Sequence, residues 1–372
     1  MLLATLFLLK CRTIFISIFE IKTSIMVVKL FKWAILLLPA MLLVPGASGQ
    51  EAWKIESREF IYPADNKPTP ECHASTVVES GGRILAAWFG GTHERHPDVG
   101  IWVSERKPEG WTAPVEVANG VVTSGDRYPT WNPVLYNYRD QKLFLFYKVG
   151  PSPSTWWGMY KVSADHGTTW SEAKRIPDPF VGPIKNKPVL VSRTMLLCPS
   201  STESDGWKAH FELFNPVKET WEHYFTPEFQ TEYNSIQPVL FRHPWGRWQA
   251  LMRTQEGVMS ESWSKDKGKT WSRISLGPLP NNNSGFDGVT LHDGTHLMVY
   301  NPTTRKDGEW GGPRYPLVVG VSADGKEWRE ILTLEEGPGE FSYPAVIQSA
   351  DGKIHITYTH NRLQVAYVIL GR

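Results

Sequence analysis

Residues 237–271 read QPVLFRHPWGRWQALMRTQEGVMSESWSKDKGKTW. An apolar run at 239–241 is followed by a turn at 243–246, a second apolar run at 248–252, Arg253, and a third short segment at 258–263. Short apolar runs broken by turn residues read as a small antiparallel meander. The closing box, SKDKGKTW at 264–271, makes that reading more specific. Ser264 and Asp266 can hydrogen-bond the backbone of their own turn, Gly268 can supply the positive φ of a hairpin, and Trp271 returns into the apolar layer below.

The box recurs as SADHGTTW at 163–170 and, one residue short, as SADGKEW at 322–328. The interval from Ser163 to Ser264 accommodates two four-stranded units of roughly 40–50 residues, the size of a propeller blade. Working outward, a first unit spans 73–111 with a degenerate box at Ser104, and a second runs from Asn132 to the box at 163–170. A third opens at Lys187 and keeps only a relic box ending at Trp221, a fifth opens at Asp287, and a sixth, 343–369, stops one strand short. The spare strand at 53–62 is expected to pair with the sixth unit, a closure that removes exposed sheet edges. The sequence therefore predicts an all-β, six-bladed β-propeller closed by its N-terminal strand. Pro and Gly cluster between units without forming a long linker, so 50–372 reads as one domain.

Residues 1–49 stand apart. Lys29 and Lys32, an apolar run at 33–44 and Ala47-Ser48-Gly49 read as a secretory signal peptide starting near Met26, with cleavage near Gly49. Residues 1–25 add a second apolar stretch that could form a membrane anchor but reads better as the product of a misassigned start, and the mature protein reads as secreted or periplasmic, without stable membrane association. Lys plus Arg (39) nearly balances Asp plus Glu (38), so no global field points to nucleic acid or to a membrane surface. Of three cysteines, Cys11 lies in the leader; an oxidising compartment would allow one disulfide between Cys72 and Cys198, and their spacing fits no metal site. No residue set implies an obligate cofactor, while a loop-bound Ca²⁺ stays open because its oxygen ligands need not cluster in sequence. Asn282-Asn283-Ser284 is a glycosylation sequon in a host that glycosylates. The 17 Trp and 13 Tyr serve boxes and core, and also suit sugar stacking.

The first strands of the six units start HAST, NPVL, KPVL, QPVL, DGVT and YPAV. That alignment places His73, Asn132, Lys187, Gln237, Asp287 and Tyr343 at one equivalent position, each followed by apolar residues. In a propeller, first strands line the axis, so six polar side chains there are together expected to face a shared pocket; singly, each reads better as a strand-start cap. Arg253 and Arg314 sit at strand ends, and guanidinium forks suit a carboxylate. The loop 90–98, GGTHERHPD, is dense in acid/base residues, among them Glu94, Arg95 and Asp98. Lys185, Trp156, Trp157 and the run 200–203, SSTE, also fall where loops belong.

These residues resemble the sialidase (neuraminidase) superfamily of Asp-box propellers, over about 60–369. The resemblance implies an exo-acting glycosidase with three arginines on the substrate carboxylate, a tyrosine nucleophile activated by a glutamate, and an aspartate acid/base, outside the usual two-carboxylate scheme. By position it implies Arg253 and Arg314 as the second and third arginines, Tyr343 as nucleophile, and Asp98, or Glu94 beside it, as the acid. Two positions depart. The arginine of the family's Arg-Ile-Pro motif has no counterpart in Phe60-Ile61-Tyr62-Pro63 or Glu71-Cys72-His73-Ala74, and the activating glutamate falls on Gln237, which cannot take a proton. Asp287 is the candidate replacement base, with His73 on the other side of Tyr343; Lys187, Asn132 and Arg95 complete the binding set.

Three functions follow from these parts. The first is hydrolysis of a terminal, acidic sugar from a glycan. The second is β-elimination beside a uronate, with His73 and Tyr343 as base and acid. The third is a glycan-binding propeller that has lost catalysis.

Overall fold

The computed structural model describes residues 52–227, 232–306 and 308–372. The leader assigned to 1–49 lies outside the described residues. The described residues are all-β, with a short 3-10 turn at Pro244–Gly246. It opens with β1 (Lys54–Phe60), followed by β2 (Glu71–Ser80), β3 (Arg83–Gly91), β4 (Gly100–Lys107), β5 (Gly110–Trp111) and β6 (Val115–Ala118). Next come β7 (Thr130–Tyr138), β8 (Lys142–Val149), β9 (Trp157–Ser163) and β10 (Lys174–Arg175). Then follow β11 (Val189–Leu190), β12 (Leu196–Thr202), β13 (Lys208–Asn215), β14 (Thr220–Phe225), β15 (Ser235–Arg242), β16 (Trp248–Thr254), β17 (Val258–Ser264) and β18 (Ser275–Pro280). The last seven are β19 (Asp287–Thr290), β20 (His296–Tyr300), β21 (Leu317–Ser322), β22 (Arg329–Glu335), β23 (Phe341–Gln348), β24 (Ile354–His360) and β25 (Gln364–Gly371).

Each expected unit is an antiparallel meander: β2 to β6, β7 to β10, β11 to β14, β15 to β18, and β19 to β22. The final sheet has the order β1-β25-β24-β23, with β1 antiparallel to β25 from Lys54 against Gly371 to Phe60 against Ala366. One departure from six separate sheets is a parallel bridge, Lys208 to Ser235, which joins the third and fourth meanders into a single sheet. The innermost strands meet at their flanks: β2 touches β7 and β23, β15 touches β12 and β19, and β19 touches β23.

The boxes do two jobs. In the second unit Asp165 accepts hydrogen bonds from the Ser163 hydroxyl, the Thr169 backbone N–H and the Thr169 hydroxyl, while Ser163 Oγ accepts the Gly167 N–H. The Thr169 bonds, then that of Ser163, hold the Asp165 carboxyl far below the usual carboxylate range. The same pattern repeats at Ser264, Asp266, Gly268 and Thr270. Each box also presses on another meander. A Cβ at Gly167 would lie 2.4 Å from Leu85, one at Gly268 2.5 Å from Leu197, and one at Gly325 2.0 Å from Gln249 Oε1. Packing between sheets is mostly aromatic and aliphatic: Phe144, Phe146, Tyr160, Phe214 and Trp221 form one cluster, and Leu297, Val319, Ile356 and Val368 another. Cys72 and Cys198 are free, buried thiols in two different clusters.

Candidate functional site

Four first strands share an irregularity. The antiparallel register slips between His73 and Thr76 in β2, Trp131 and Val134 in β7, Ile236 and Val239 in β15, and Ser342 and Ala345 in β23. At each slip one non-glycine residue adopts positive φ: Ala74 (53°), Asn132 (39°), Gln237 (54°) and Tyr343 (50°). Proline follows in three of the four, at 133, 238 and 344, and having no N–H it fits where the ladder is interrupted. Such bulges re-aim a side chain, and left-handed backbone at a residue with a Cβ costs about 1–3 kcal/mol, a strain that gathers at functional sites.

The bulges correct the ring alignment by one residue in the first unit: Ala74, not His73, is equivalent to Tyr343. Alternation of apolar residues carries no mark of an inserted residue. The third and fifth units lack the bulge, and their ring residues go elsewhere. Lys187 and Asp287 form an ion pair at 3.2 Å, and Asp287 Oδ2 also accepts the Val346 N–H. They line a separate cavity of about 510 Å³ together with Trp248 and Val346. The expected six-residue pocket is therefore divided between two cavities, and Asp287 is not among the residues around the Tyr343 side chain.

His73, Asn132, Gln237 and Tyr343 line a cavity of about 550 Å³. Arg253 and Arg314 line it too, and so does Arg362, from the turn between β24 and β25. Arg253 is 5 % exposed and anchored at two nitrogens: Nε donates to Asn283 Oδ1 at 2.9 Å, and Nη1 donates to Tyr343 Oη at 2.5 Å and Gln237 Oε1 at 3.4 Å. Its guanidinium also covers the Trp207 ring at 5.0 Å. Arg314 stands 5.9 Å from the Tyr343 ring centre and donates to Glu340. Arg362 donates through Nε to both Glu340 oxygens, at 3.0 and 3.1 Å, and through Nη1 to Glu94. Burial alone would raise the Glu340 carboxyl, but Arg314 and Arg362 hold it below the usual range.

His73 packs against Tyr343 with ring centres 4.3 Å apart. Its Nδ1 is hydrogen-bonded to Thr359 Oγ1 at 3.0 Å, and the same oxygen accepts the Ala74 N–H. Burial, then Arg362, Arg314, Arg253 and Lys185, push the imidazole well below its ordinary value, so it is neutral. The third guanidinium of the cavity comes instead from Arg362, on a different hairpin.

Lys185 and Asn186 tie the bulges together from below. Lys185 Nζ donates to Pro344 O at 2.7 Å, and to Phe286 O and Asn186 Oδ1 at 3.0 Å. Asn186 Nδ2 donates to Gln237 O and Pro238 O at 3.0 Å. One dipeptide thus fixes the backbones that present Gln237 and Tyr343. Burial pushes the Lys185 amine down to about 7, against the pull of Asp287.

Asp98 does not line this cavity. It is held within its own loop by the Thr92 N–H and hydroxyl and by His96 Nδ1 at 2.7 Å. Glu94 and Arg95 from the same loop do line it. Glu203, Trp131, Trp156, Trp207 and Trp310 complete the walls, with Trp207 and Trp310 edge to face. Trp157, by contrast, belongs to β9. Sequence reasoning missed Arg362, Glu340, Trp131, Trp207 and Trp310, whereas Trp156 was among its loop candidates; Arg362 lies in a turn whose proximity to Tyr343 only the folded chain creates, while Glu340 directly precedes β23 and gains its role from the arginines it meets. The sequon Asn282 is 1 % exposed and donates to Pro313 O, while its neighbour Asn283 seats Arg253. Among the described residues no group of three or more His, Cys, Asp or Glu is placed to hold a metal ion.

Residues 82–356 match the BNR repeat-like domain family. No curated protein matches the chain by sequence. Among solved structures, a protein of unknown function from Dyadobacter fermentans is similar over 86 % of this chain and 99 % of its own, at 15 % identity and TM-score 0.68. An intramolecular trans-sialidase from Ruminococcus gnavus, in complex with oseltamivir carboxylate, is similar over 83 % of this chain and 96 % of its own, at 13 % identity and TM-score 0.62. The NanB sialidase of Streptococcus pneumoniae is similar over 81 % and 68 %, at 13 % identity and TM-score 0.61. At such identities the likeness is one of fold.

Proposed function

The chain belongs to the BNR repeat-like family with a sialidase-like fold, and on that premise we propose that it is a secreted glycoside hydrolase releasing a terminal acidic sugar from a glycan. The observation that carries the reading is the gathering of Arg253, Arg314 and Arg362 around Tyr343 in one cavity. Guanidinium forks recognise carboxylates in two-bonded geometry, and a site with three of them selects an anionic sugar. The fold reading that goes with it is a six-bladed ring in which β1 completes the last blade.

In this reading the sugar carboxylate lies on the arginines and Tyr343 Oη attacks the anomeric carbon. A phenol attacks poorly until it has lost its proton; Gln237 cannot accept it, so the proton leaves to solvent and the Arg253 guanidinium on Oη stabilises the negative charge. The test is incubation of residues 50–372 with sialosides, other ulosonic-acid glycosides and uronate-capped oligosaccharides, followed by mass spectrometry. Release of the acidic sugar with gain of water supports the proposal. Binding without turnover across the panel would leave a glycan-binding protein.

One observation favours a second reading. Neutral His73 lies against Tyr343, and among the described residues Tyr343 Oη is hydrogen-bonded to Arg253 and to no carboxylate. Beside a uronate, those two groups suit β-elimination, with the arginines neutralising the carboxylate. Elimination would appear as loss of the sugar without gain of water and new ultraviolet absorbance of an unsaturated product.

A further inference from the structure

Hydrolysis at this cavity needs a proton for the departing glycosidic oxygen, and the loop residue Asp98 is not among the residues that line it. Among the described residues, the carboxylates lining the cavity are Glu94 and Glu203. Glu94 is committed to Arg362 as an ion pair. Glu203, in the turn between β12 and β13, makes no ion pair among the described residues. It lies close to the reacting centre through two links. Ser201, two residues before it, accepts the Gln237 N–H, and Trp207, which hydrogen-bonds Glu203, stacks under the Arg253 guanidinium that holds Tyr343.

We infer that Glu203 is the general acid and base of this site, a role that rests on the hydrolase reading. In the first step the Glu203 carboxyl gives its proton to the glycosidic oxygen as Tyr343 Oη bonds to the anomeric carbon and the glycosidic bond breaks. In the second, the Glu203 carboxylate takes a proton from water as that water bonds to the anomeric carbon and the bond to Tyr343 Oη breaks. The sum is one water consumed, with both groups restored. An acid of this kind must still carry its proton near neutral pH. Burial raises the Glu203 carboxyl above its ordinary value, only partly offset by Arg253 and Trp207.

The test compares wild type and Glu203→Gln on two glycosides of the same acidic sugar. One has a 4-nitrophenol leaving group, which departs unaided, and the other a sugar alcohol, which needs a proton. In kcat/KM, which reports the first step alone, the variant is expected to lose on the order of 10²- to 10⁴-fold on the sugar-linked substrate and about tenfold or less on the 4-nitrophenyl glycoside. The alkaline limb of the wild-type pH profile is expected to vanish with it. Binding of the free sugar acid, measured by calorimetry, is expected to be unchanged and reports an intact cavity. Equal losses on both substrates, or no loss on either, would overturn the assignment while leaving the hydrolase reading in place. A wild type that hydrolyses neither substrate, nor any glycoside of the panel, would overturn that reading and this role with it.

Discussion

Arg362 grips Glu340 through a single nitrogen, Nε, which meets both carboxylate oxygens while Nη1 reaches across to Glu94. The guanidinium is thus anchored by two carboxylates and offers its remaining edge to the cavity. Arg362→Ala is expected to weaken binding of the acidic sugar by roughly 10- to 100-fold, the worth of a charge-assisted hydrogen bond. Arg362→Lys is expected to recover only part of this, because the planar fork is lost. Calorimetry with the free acid and its methyl ester checks the point: affinity for the ester is expected to change little.

Gln237→Glu is expected to speed hydrolysis. A carboxylate there would sit beside the Arg253 Nη1 that also holds Tyr343 Oη, and could take the phenolic proton. A positioned base contributes on the order of 10²- to 10⁴-fold, and a gain in kcat toward the lower end of that range is expected. If steady-state kinetics show no gain, proton removal from Tyr343 does not limit the reaction.

Stability is expected to fall as pH drops from about 6.5 toward 4. Burial pushes His296 and His355 down to about 4, and His73 well below its ordinary value. With the folded-state value depressed, the unfolded chain takes up protons first. The stabilisation is fully present above the unfolded value of about 6.5 and is lost progressively as pH falls toward the folded value. Thermal unfolding at pH 7.0, 5.5 and 4.5 reads this directly, and His355→Gln is expected to show a flatter dependence than wild type.

Two glycines separate backbone strain from crowding. Gly268 (φ +85) would place a Cβ 2.5 Å from Leu197, whereas Gly294 (φ +88) has nothing within 4 Å of that point. Both substitutions by Ala are strained, and Gly268→Ala is expected to cost an additional ~1–3 kcal/mol from overpacking. Urea unfolding of the two variants gives the difference.

The boxes were legible because each of their residues has a local task, so Ser163, Asp165, Gly167 and Trp170 announce a hairpin without reference to the rest of the chain. Tyr343, Gln237 and Asn132 were legible as ring residues because each is the polar start of a first strand that continues in apolar residues. His73 was placed one residue off because a bulge leaves no trace in apolar alternation. Asp287 and Lys187 look identical to ring residues in sequence, yet without the bulge they belong to another cavity. Arg362 was opaque for a different reason: it reaches the cavity from the turn after β24, and no spacing rule links it to Tyr343, whereas Glu203 was marked only as the end of a run of loop residues.

The sequon at 282 sets modification against folding. In the folded protein the Asn282 amide is buried and bonded to Pro313, out of reach of any transferase, so a glycan could be added only to the chain before this loop closes. Once attached, it would keep Asn283 from seating Arg253. A secretory host that glycosylates is therefore expected to yield two populations, one sugar-free and competent, the other carrying a glycan and an empty arginine cradle, and the choice of expression host becomes part of assaying this protein.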